Sequence, residues 1–558
     1  MIRQPICVYN NWSTYDELSD NVFLTQELAM KELDEVLRLR EAGVRIDYYL
    51  MDAFWFAPDG GYRTWRKPHW PDGPEQWINK CLENGVKPGM WFSTNATCHN
   101  QPVPEWEDSM DVARTSMCLF KGGYLPHFME TLQYWYDKGI RLFKFDFANF
   151  DAATPDVLRT HLTEEIRERN IAAFKSALKL FRYKNPDAVL LAFNGFGGEY
   201  SITSRPFRKS VDTNWLTVFD SLYCGDPRPS DVPAANFWRS VDIYTDHMTR
   251  AYEASDVPLE RIDNTGYMMG VTGTCYCRGA SAWKGMLVLT LARGGWVNVY
   301  HGNLELLSDE DAKWFAKTQS MFLNFQARGR VYTFGEPPGE AKSYGYAGID
   351  KTGSVYTVVN ASQLIAEVSL PRVSDWQDEP ADWRILFRDA GFVSKLSGST
   401  ITLGPEQMAI VGFGSYASEE FDLGIQEDVV IASDISLITD DFTLSAKNAI
   451  TTQIAAPSEC GLRIVMRQVR NGLAIRSSGG GMPNGIPMDQ FFKISVCQDG
   501  VELPVNVNYG KAIWSGFSWA VGEVDAGDMT PGEPVTVSIT SNEGREVTLL
   551  GAVYSVKY

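Results

Sequence analysis

Hydrophobic and polar positions follow two different patterns along the chain. Up to about residue 327, short apolar runs alternate with longer segments in which apolar residues recur at helical spacing, a pattern typical of a parallel sheet with helical crossovers. There are eight such runs, the number that a closed (β/α)8 TIM barrel needs. The predicted strands are Ile6–Trp12, Asp47–Trp55, Lys87–Ser93, Arg141–Phe147, Ala188–Asn194, Asp220–Asp226, Tyr267–Cys277 and Trp296–Gly302. Helices are predicted over Thr25–Ala42, Pro155–Tyr183 and Ser308–Phe325.

After Ala327 the pattern changes to short alternating runs separated by Gly, Pro, Ser and Thr turns, which predicts all-β sandwich domains. We therefore predict an α/β fold with three domains: a catalytic barrel over 1–327, a β-sandwich over 328–415 and an accessory β-sandwich over 416–558. The accessory domain is either a carbohydrate-binding module or a stabilising or dimerising sandwich, and the sequence leaves both open.

The charge of the chain restricts its partners. With 51 basic and 70 acidic residues, the net charge of −19 makes binding to nucleic acid or to an anionic membrane improbable as the main activity. Nine scattered cysteines favour reduced thiols, and the first residues lack the apolar core of a signal peptide, so we expect a cytoplasmic protein. Cys275 and Cys277 lack zinc-site spacing, so we expect no metal. Whether the chain forms a homo-oligomer stays open.

The most informative segment for chemistry is Arg141–Phe147, where Lys144 and Asp146 lie two residues apart in an apolar run. On a strand this spacing places both side chains on one face. A desolvated aspartate needs a cation or hydrogen-bond donors to stay ionised, and such a carboxylate could act as a nucleophile. The alternative is a buried ion pair that only closes a core.

Several other predicted strands also end in polar residues, and in a barrel of this kind the active site lies at the carboxyl ends of the strands. The polar ends are Asp52, Asp146, Asn194, Asp226 and His301. Asp146 and Asp226 lie two strands apart, and two carboxylates separated by about 5–5.5 Å perform retaining glycoside hydrolysis. Trp65 and Trp91 could form the wall of a sugar pocket, or could be core residues.

Three segments resemble the α-galactosidase clan of glycoside hydrolases, clan D, which contains families 27 and 36. Asn10-Asn11-Trp12 resembles its first-strand Asn-x-Trp, Met51–Phe56 resembles its Asp-Asp-Gly-Trp-Phe segment, and Lys144-Phe145-Asp146 matches its Lys-x-Asp motif. The resemblance implies an α-galactosidase-like exo-glycosidase without a cofactor that acts on an oligosaccharide or glycoside, with Asp146 as the nucleophile. Asp52, Trp65, Trp91, Lys144, Asn194 and Arg208 are the candidates for holding the sugar.

For the acid/base the resemblance offers two positions. The order Lys209-Ser210-Val211-Asp212 and then Leu222–Pro229 is similar to the family 36 pattern, which implies Asp226. Trp238–Asp242 is similar to a family 27 segment but one residue shorter, which makes Asp242 the alternative. The apolar spacing around Asp242 predicts a helix that would place it away from the barrel rim.

One departure from the clan concerns Ala53, which stands where the clan has a second aspartate. A missing acceptor for a sugar hydroxyl costs about 1–3 kcal/mol, so the glycone is galactose or a related sugar. A transglycosylase of the raffinose-synthase type and an α-N-acetylgalactosaminidase stay open. The alternative from another class is a non-catalytic carbohydrate-binding protein.

Overall fold

The structure is a computed structural model. It describes residues 4–12, 14, 24–53, 55–98, 100–196, 211–225, 237–267, 269, 282–339, 341–372, 382–470, 473–474, 492–507, 519–542 and 546–558. The chain divides into two units. The first comprises Met1–Gly225, Ala251–Tyr267 and Gly295–Ser320, and the second comprises Asp226–Arg250, Met268–Gly294 and Met321–Tyr558.

The first unit contains an eight-stranded parallel sheet. Its strands are β1 (Ile6–Asn10), β2 (Tyr48–Met51), β3 (Lys87–Ser93), β4 (Leu142–Asp146), β5 (Val189–Ala192), β6 (Ser221–Leu222), β7 (Asn264–Tyr267) and β8 (Val297–His301). They pair in the order β6-β5-β4-β3-β2-β1-β8-β7. An isolated parallel bridge between Leu222 and Ile262 joins β6 to the residues just before β7. The predicted (β/α) barrel followed by β domains is confirmed.

The helices that the structure describes are α1 (Gln26–Glu41), α2 (Glu75–Glu83), α3 (Tyr124–Asp137), α4 (Pro155–Thr160), α5 (Thr163–Lys184), α6 (Phe237–Glu253), α7 (Trp283–Ala292) and α8 (Asp309–Arg328). Helix α1, which lies within the predicted range Thr25–Ala42, shows why a helix forms there. The Thr25 hydroxyl caps it by accepting from Leu28 N at 3.2 Å. Its buried side chains, Ala29, Glu32, Leu33, Val36 and Leu39, recur at helical spacing.

Two predicted elements differ from the structure in more than the residues at their ends. The helix predicted over Pro155–Tyr183 is divided into α4 and α5. The seventh strand was predicted over Tyr267–Cys277, but β7 ends at Tyr267 and most of the predicted range lies outside the described residues. The reason is that Asn264–Tyr267 becomes a strand by pairing with β8, against the low strand propensity of Asn and Gly.

An apolar core fills the interior of the first sheet. It contains Ile6, Val8, Tyr48, Leu50, Leu142, Val189, Leu191, Phe193, Tyr223, Val297 and Val299. These residues alternate along their strands, so the inward positions that follow them towards the carboxyl ends identify the side chains at the barrel mouth. Those positions include Asn10, Asp52, Asp146 and His301.

The second unit is built mainly from antiparallel sheets. Its strands are β9 (Arg330–Gly335), β10 (Ser343–Ile349), β11 (Gly353–Asn360), β12 (Ala366–Ser369), β13 (Trp383–Gly391), β14 (Lys395–Ser397), β15 (Thr400–Leu403), β16 (Met408–Gly414), β17 (Gly424–Ile431), β18 (Asp434–Thr439), β19 (Thr443–Ala446), β20 (Ala449–Ala455), β21 (Gly461–Arg470), β22 (Leu473–Ala474), β23 (Phe492–Gln498), β24 (Val501–Leu503), β25 (Asn506–Val507), β26 (Trp519–Val524), β27 (Pro534–Ser541) and β28 (Thr548–Lys557).

These strands form four sheets. The first has the order β17-β13-β16-β11-β10-β9 and shares an apolar core with the sheet β12-β15-β14. The other two have the orders β18-β28-β21-β26-β25 and β19-β20-β27-β23-β24. Because β17 pairs with β13, the first sheet continues to Ile431. The domain boundaries at 327 and 415 stay predictions.

Among the helices that the structure describes, none combines the length and the apolar character needed to cross a bilayer.

Candidate active site

Asp146, the last residue of β4, is held by three hydrogen bonds. Its Oδ2 accepts from Trp91 Nε1 at 3.0 Å, and its Oδ1 accepts from Phe147 N at 2.9 Å and from Asn194 N at 3.1 Å. The side chain is buried. The bonds come from three strand ends, β3, β4 and β5, so the barrel fixes the direction of the carboxylate.

The backbone turns sharply immediately after Asp146. Phe147 has a φ of +46°, in the left-handed region that is costly for a residue with a Cβ. This conformation places the Phe147 amide on the preceding carboxylate, and the residue is 42% exposed. Strain of this kind is often retained where a backbone group must reach a particular position, as the Phe147 amide does here.

The charge of Asp146 is opposed and supported by identifiable groups. Burial raises the pKa of the Asp146 carboxyl, whereas Lys144, the Trp91 indole N–H and Asn194 lower it. The nearby Asp52 raises this pKa further. The ionised form of Asp146 therefore depends on the Lys144 charge and on its hydrogen-bond donors.

Lys144 forms a buried ion pair with Asp52. The Nζ to Oδ2 distance is 2.7 Å, and both side chains are about 5% exposed or less. The Lys144 ammonium also lies 4.0 Å from the centroid of the Phe193 ring. Removal of one partner of such a buried pair strongly destabilises the folded protein, because the remaining charge is left uncompensated.

Asn11 supports Asp52 from the end of β1. Its Oδ1 accepts from Asp52 N at 2.8 Å, and its Nδ2 donates to Glu32 Oε2 of α1 at 3.2 Å. Tyr49 also donates to the Glu32 carboxylate. Asn11 therefore links the helix outside the barrel to the aspartate at its mouth. The Asn-x-Trp resemblance included Asn11, but the sequence did not indicate this role.

Three buried polar atoms near the strand ends have no hydrogen-bond partner among the described residues. They are Asn10 Nδ2, Thr94 Oγ1 and Asn194 Oδ1. Buried polar groups without a partner are uncommon in proteins, and each needs a physical explanation. One donor, one acceptor and one hydroxyl of this kind can bind a ligand that carries several hydroxyl groups.

The predicted aromatic residues have two kinds of surroundings. Trp65 is buried in a cluster with Trp55, whose ring centroid lies at 4.8 Å, and Trp70, at 4.4 Å. Trp91 is also buried and stacks on Phe56 at 5.9 Å, with its N–H on Asp146. Phe147, which the sequence did not indicate, is an exposed residue whose ring centroid lies 6.1 Å from that of Trp91.

The remaining predicted site residues are located as follows. Asp226 and Arg208 lie outside the described residues. Asp242 is buried in α6, in the second unit, where Arg239 Nη1 contacts it at 3.1 Å. Arg239 also pairs with Asp389 at 2.8 Å. Asp242 therefore belongs to a buried ionic cluster of the second unit, together with Arg239 and Asp389.

Within the part of the chain that the structure describes, no group of three or more His, Cys, Asp or Glu side chains is arranged to hold a metal ion.

Comparisons by sequence identify no relative of this chain. No protein-family model matches, and no curated protein matches.

Comparison of structures does identify similar folds. An α-galactosidase from Lactobacillus brevis has 10% identity and a TM-score of 0.52, and a family 36 α-galactosidase from Geobacillus stearothermophilus has 13% identity and a TM-score of 0.51. Each match covers 74% of this chain and 55% of the other, so this chain corresponds to about half the length of these enzymes.

A family 27 β-L-arabinopyranosidase from Geobacillus stearothermophilus has 13% identity and a TM-score of 0.50, with 75% of this chain and 98% of that one covered. The two enzymes from Geobacillus stearothermophilus represent families 36 and 27, which both belong to clan D. The chain thus shares the barrel and β-domain fold of the clan D glycoside hydrolases.

Proposed function

We propose that the protein is a retaining exo-α-glycosidase of α-galactosidase type, with Asp146 as the nucleophile and Asp226 as the acid/base. Asp146 attacks the anomeric carbon and the bond to the leaving oxygen breaks, while protonated Asp226 donates its proton to that oxygen. Water deprotonated by Asp226 then hydrolyses the glycosyl-enzyme and releases the sugar.

The observation that carries the proposal is the way in which Asp146 is held. A nucleophilic carboxylate must be ionised and must point in one direction, and the three donors together with Lys144 favour both. A barrel needs no such arrangement for stability, since replacing a buried ion pair by packed apolar residues is often neutral or stabilising.

The unpartnered polar atoms support a sugar as the ligand. Asn10 Nδ2, Thr94 Oγ1 and Asn194 Oδ1 would each gain a hydrogen bond from a bound glycone. Each bond that satisfies such a buried group is worth about 1–3 kcal/mol. Among the structural neighbours, a family 36 α-galactosidase was solved in complex with raffinose, which supports a terminal α-galactoside as the substrate.

A second candidate function is β-L-arabinopyranosidase activity, and Ala53 favours it. Ala53 is buried next to Asp52 and stands where the clan has an aspartate, so one carboxylate contact to the sugar is missing. β-L-Arabinopyranose has the ring configuration of α-D-galactose without the hydroxymethyl group. Loss of a hydroxyl acceptor is less costly for that sugar.

The test is hydrolysis of aryl α-galactoside, aryl α-N-acetylgalactosaminide, aryl α-glucoside and aryl β-L-arabinopyranoside, with an added sugar acceptor to detect transfer. Asp146→Gly should lose activity by at least about 10⁴-fold and, with azide, should form a glycosyl azide of inverted configuration. Asp151→Asn is the control, because Asp151 is an exposed aspartate five residues further along the chain.

The acid/base assignment is tested on the same substrates. Asp226→Asn should retain turnover of activated aryl substrates in the presence of azide, and Asp242→Asn should mainly lower thermal stability. Loss of turnover in Asp242→Asn, with full activity in Asp226→Asn, would reverse the assignment. If folded wild type cleaves none of the four glycosides, the proposal gives way to a sugar-binding role.

A further inference from the structure

A carboxyl group that the proposed mechanism does not use is buried inside the barrel. Asp263 precedes β7 directly, is 1% exposed, and donates its backbone N–H to Leu222 O at 3.1 Å. The next residue, Asn264, faces outwards, because its Nδ2 donates to Asn298 Oδ1 and to Gly295 O, each at 2.8 Å. Successive side chains of an extended strand point to opposite faces, so Asp263 faces the interior.

The groups around Asp263 connect it with the candidate site. Strand register places Lys144 beside Leu191, and Leu191 beside Ser221, in one row across β4, β5 and β6. Leu191 belongs to the interior core, so all three side chains point inwards. Lys144 and Ser221 are the groups that favour the ionised form of Asp263.

The environment of Asp263 does not suit a negative charge. Neither carboxyl oxygen has a hydrogen bond of ordinary length to a described residue, and the Ser221 hydroxyl beside it has none either. Burial raises the pKa of Asp263 to about 7, and the negative charge of Asp220 contributes in the same direction. Asp220 is itself paired with Arg182. A further cation, Arg261, is bound to the Asp220 backbone oxygen at 2.7 Å.

Lys144 is thus the cation shared by three carboxyl groups. It contacts Asp52 at 2.7 Å and acts electrostatically on both Asp146 and Asp263. One ammonium cannot balance three buried carboxylates, so the group with the fewest hydrogen bonds is the one that should hold a proton.

We propose that Asp263 is a positioning residue for the active site: in its protonated form it leaves the charge of Lys144 to Asp52 and Asp146, and on ionisation it draws that charge towards the barrel interior. This inference rests on the proposed function, because it concerns the same nucleophile. Activity should therefore fall as the pH rises through neutrality.

The test compares kcat/KM of wild type and Asp263→Asn from pH 5 to 9 on the best aryl glycoside. Asparagine resembles the protonated form and cannot ionise. A group with a pKa near 7 is about 90% ionised at pH 8, so the ratio of Asp263→Asn to wild type should be about tenfold higher at pH 8 than at pH 5.5. A ratio independent of pH overturns the proposal.

A second variant covers the case in which Asp263→Asn fails to fold. Ser221→Ala removes the hydroxyl that favours the ionised form, so the alkaline limb of kcat/KM should move to higher pH. If the alkaline limb of kcat/KM in a folded Ser221→Ala protein lies at the same pH as in wild type, the proposal is contradicted. Asp256→Asn, an exposed aspartate seven residues before Asp263, is the control and should leave the limb in place.

The failure of this inference can be distinguished from the failure of the proposed function. Difference infrared spectra of wild type and Asp263→Asn should show one protonated carboxyl that is lost between pH 6 and 8. If wild type cleaves no glycoside, the proposed function fails, and the infrared titration still decides whether Asp263 holds a proton. A carboxyl that is already ionised at pH 6 overturns the inference.

Discussion

Replacement of Asp263 by asparagine should change how the stability of the protein depends on pH. The pKa of the buried carboxyl is about 7, compared with about 3.9 for an aspartate in an unfolded chain. The folded state therefore binds more protons than the unfolded state between these two values, and the free energy of unfolding falls as the pH rises through that window. Three units of pKa correspond to about 4 kcal/mol, of which about 2.5 kcal/mol falls between pH 5 and 8.

Asp263→Asn removes this pH-dependent contribution to the free energy of unfolding and adds an amide whose effect on stability does not depend on pH. The difference in unfolding free energy between variant and wild type should therefore rise by about 2.5 kcal/mol in favour of the variant from pH 5 to pH 8. Urea unfolding followed by tryptophan fluorescence measures it, with Asp256→Asn as the control. Titrating groups that do not interact with Asp263 are common to both proteins and cancel. A difference that is constant to within about 0.5 kcal/mol over this range would refute the raised pKa and the reasoning built on it.

Three further substitutions test the hydrogen bonds of the site. Trp91→Phe keeps the ring stacking but removes the N–H that lowers the pKa of Asp146. The acidic limb of the kcat/KM profile should therefore move to higher pH, and kcat should fall about tenfold. An acidic limb at the wild-type pH would contradict this. Lys144→Met leaves the Asp52 carboxylate without its cation. It should lower the free energy of unfolding in urea by about 3–5 kcal/mol and should also lower activity. Unchanged stability would show that the pair is not buried as described. Asn11→Ala removes the acceptor of the Asp52 backbone N–H and should lower kcat/KM by about 10-fold to 100-fold, with a smaller loss of stability. If only thermal unfolding changes, Asn11 does not position Asp52 for activity.

The barrel could be predicted from the sequence because most of its strands are apolar runs that end in polar residues. β3 is the clearest case, since Lys87–Ser93 was predicted and is observed with the same bounds. The predicted seventh strand lies too far along the chain, because Met268 and Met269 form a stronger apolar signal than Asn264–Tyr267. That segment becomes a strand through pairing with β8, which no local pattern reveals.

The candidate site was predictable in its residue types but not in its contacts. Spacing alone placed Lys144 and Asp146 on one face of a strand, but the partner of Lys144 is Asp52, 92 residues away, which follows another strand. The backbone N–H of Asn194 that binds Asp146 carries no sequence signal at all. The positive φ of Phe147 could not be predicted from the sequence either, because phenylalanine does not favour this conformation.

The arrangement of charge in the barrel explains why these residues should be considered together. The barrel interior contains an apolar core, and Lys144 in β4 is in electrostatic contact with Asp52, Asp146 and Asp263. When ionisable groups interact this strongly, their protons dissociate as properties of the group and not of single residues. A change at Asp52 or Asp263 must therefore alter the charge that Lys144 offers to Asp146. The protonation state of Asp146, the proposed nucleophile, thus depends on a cluster that includes Lys144, Asp52 and Asp263.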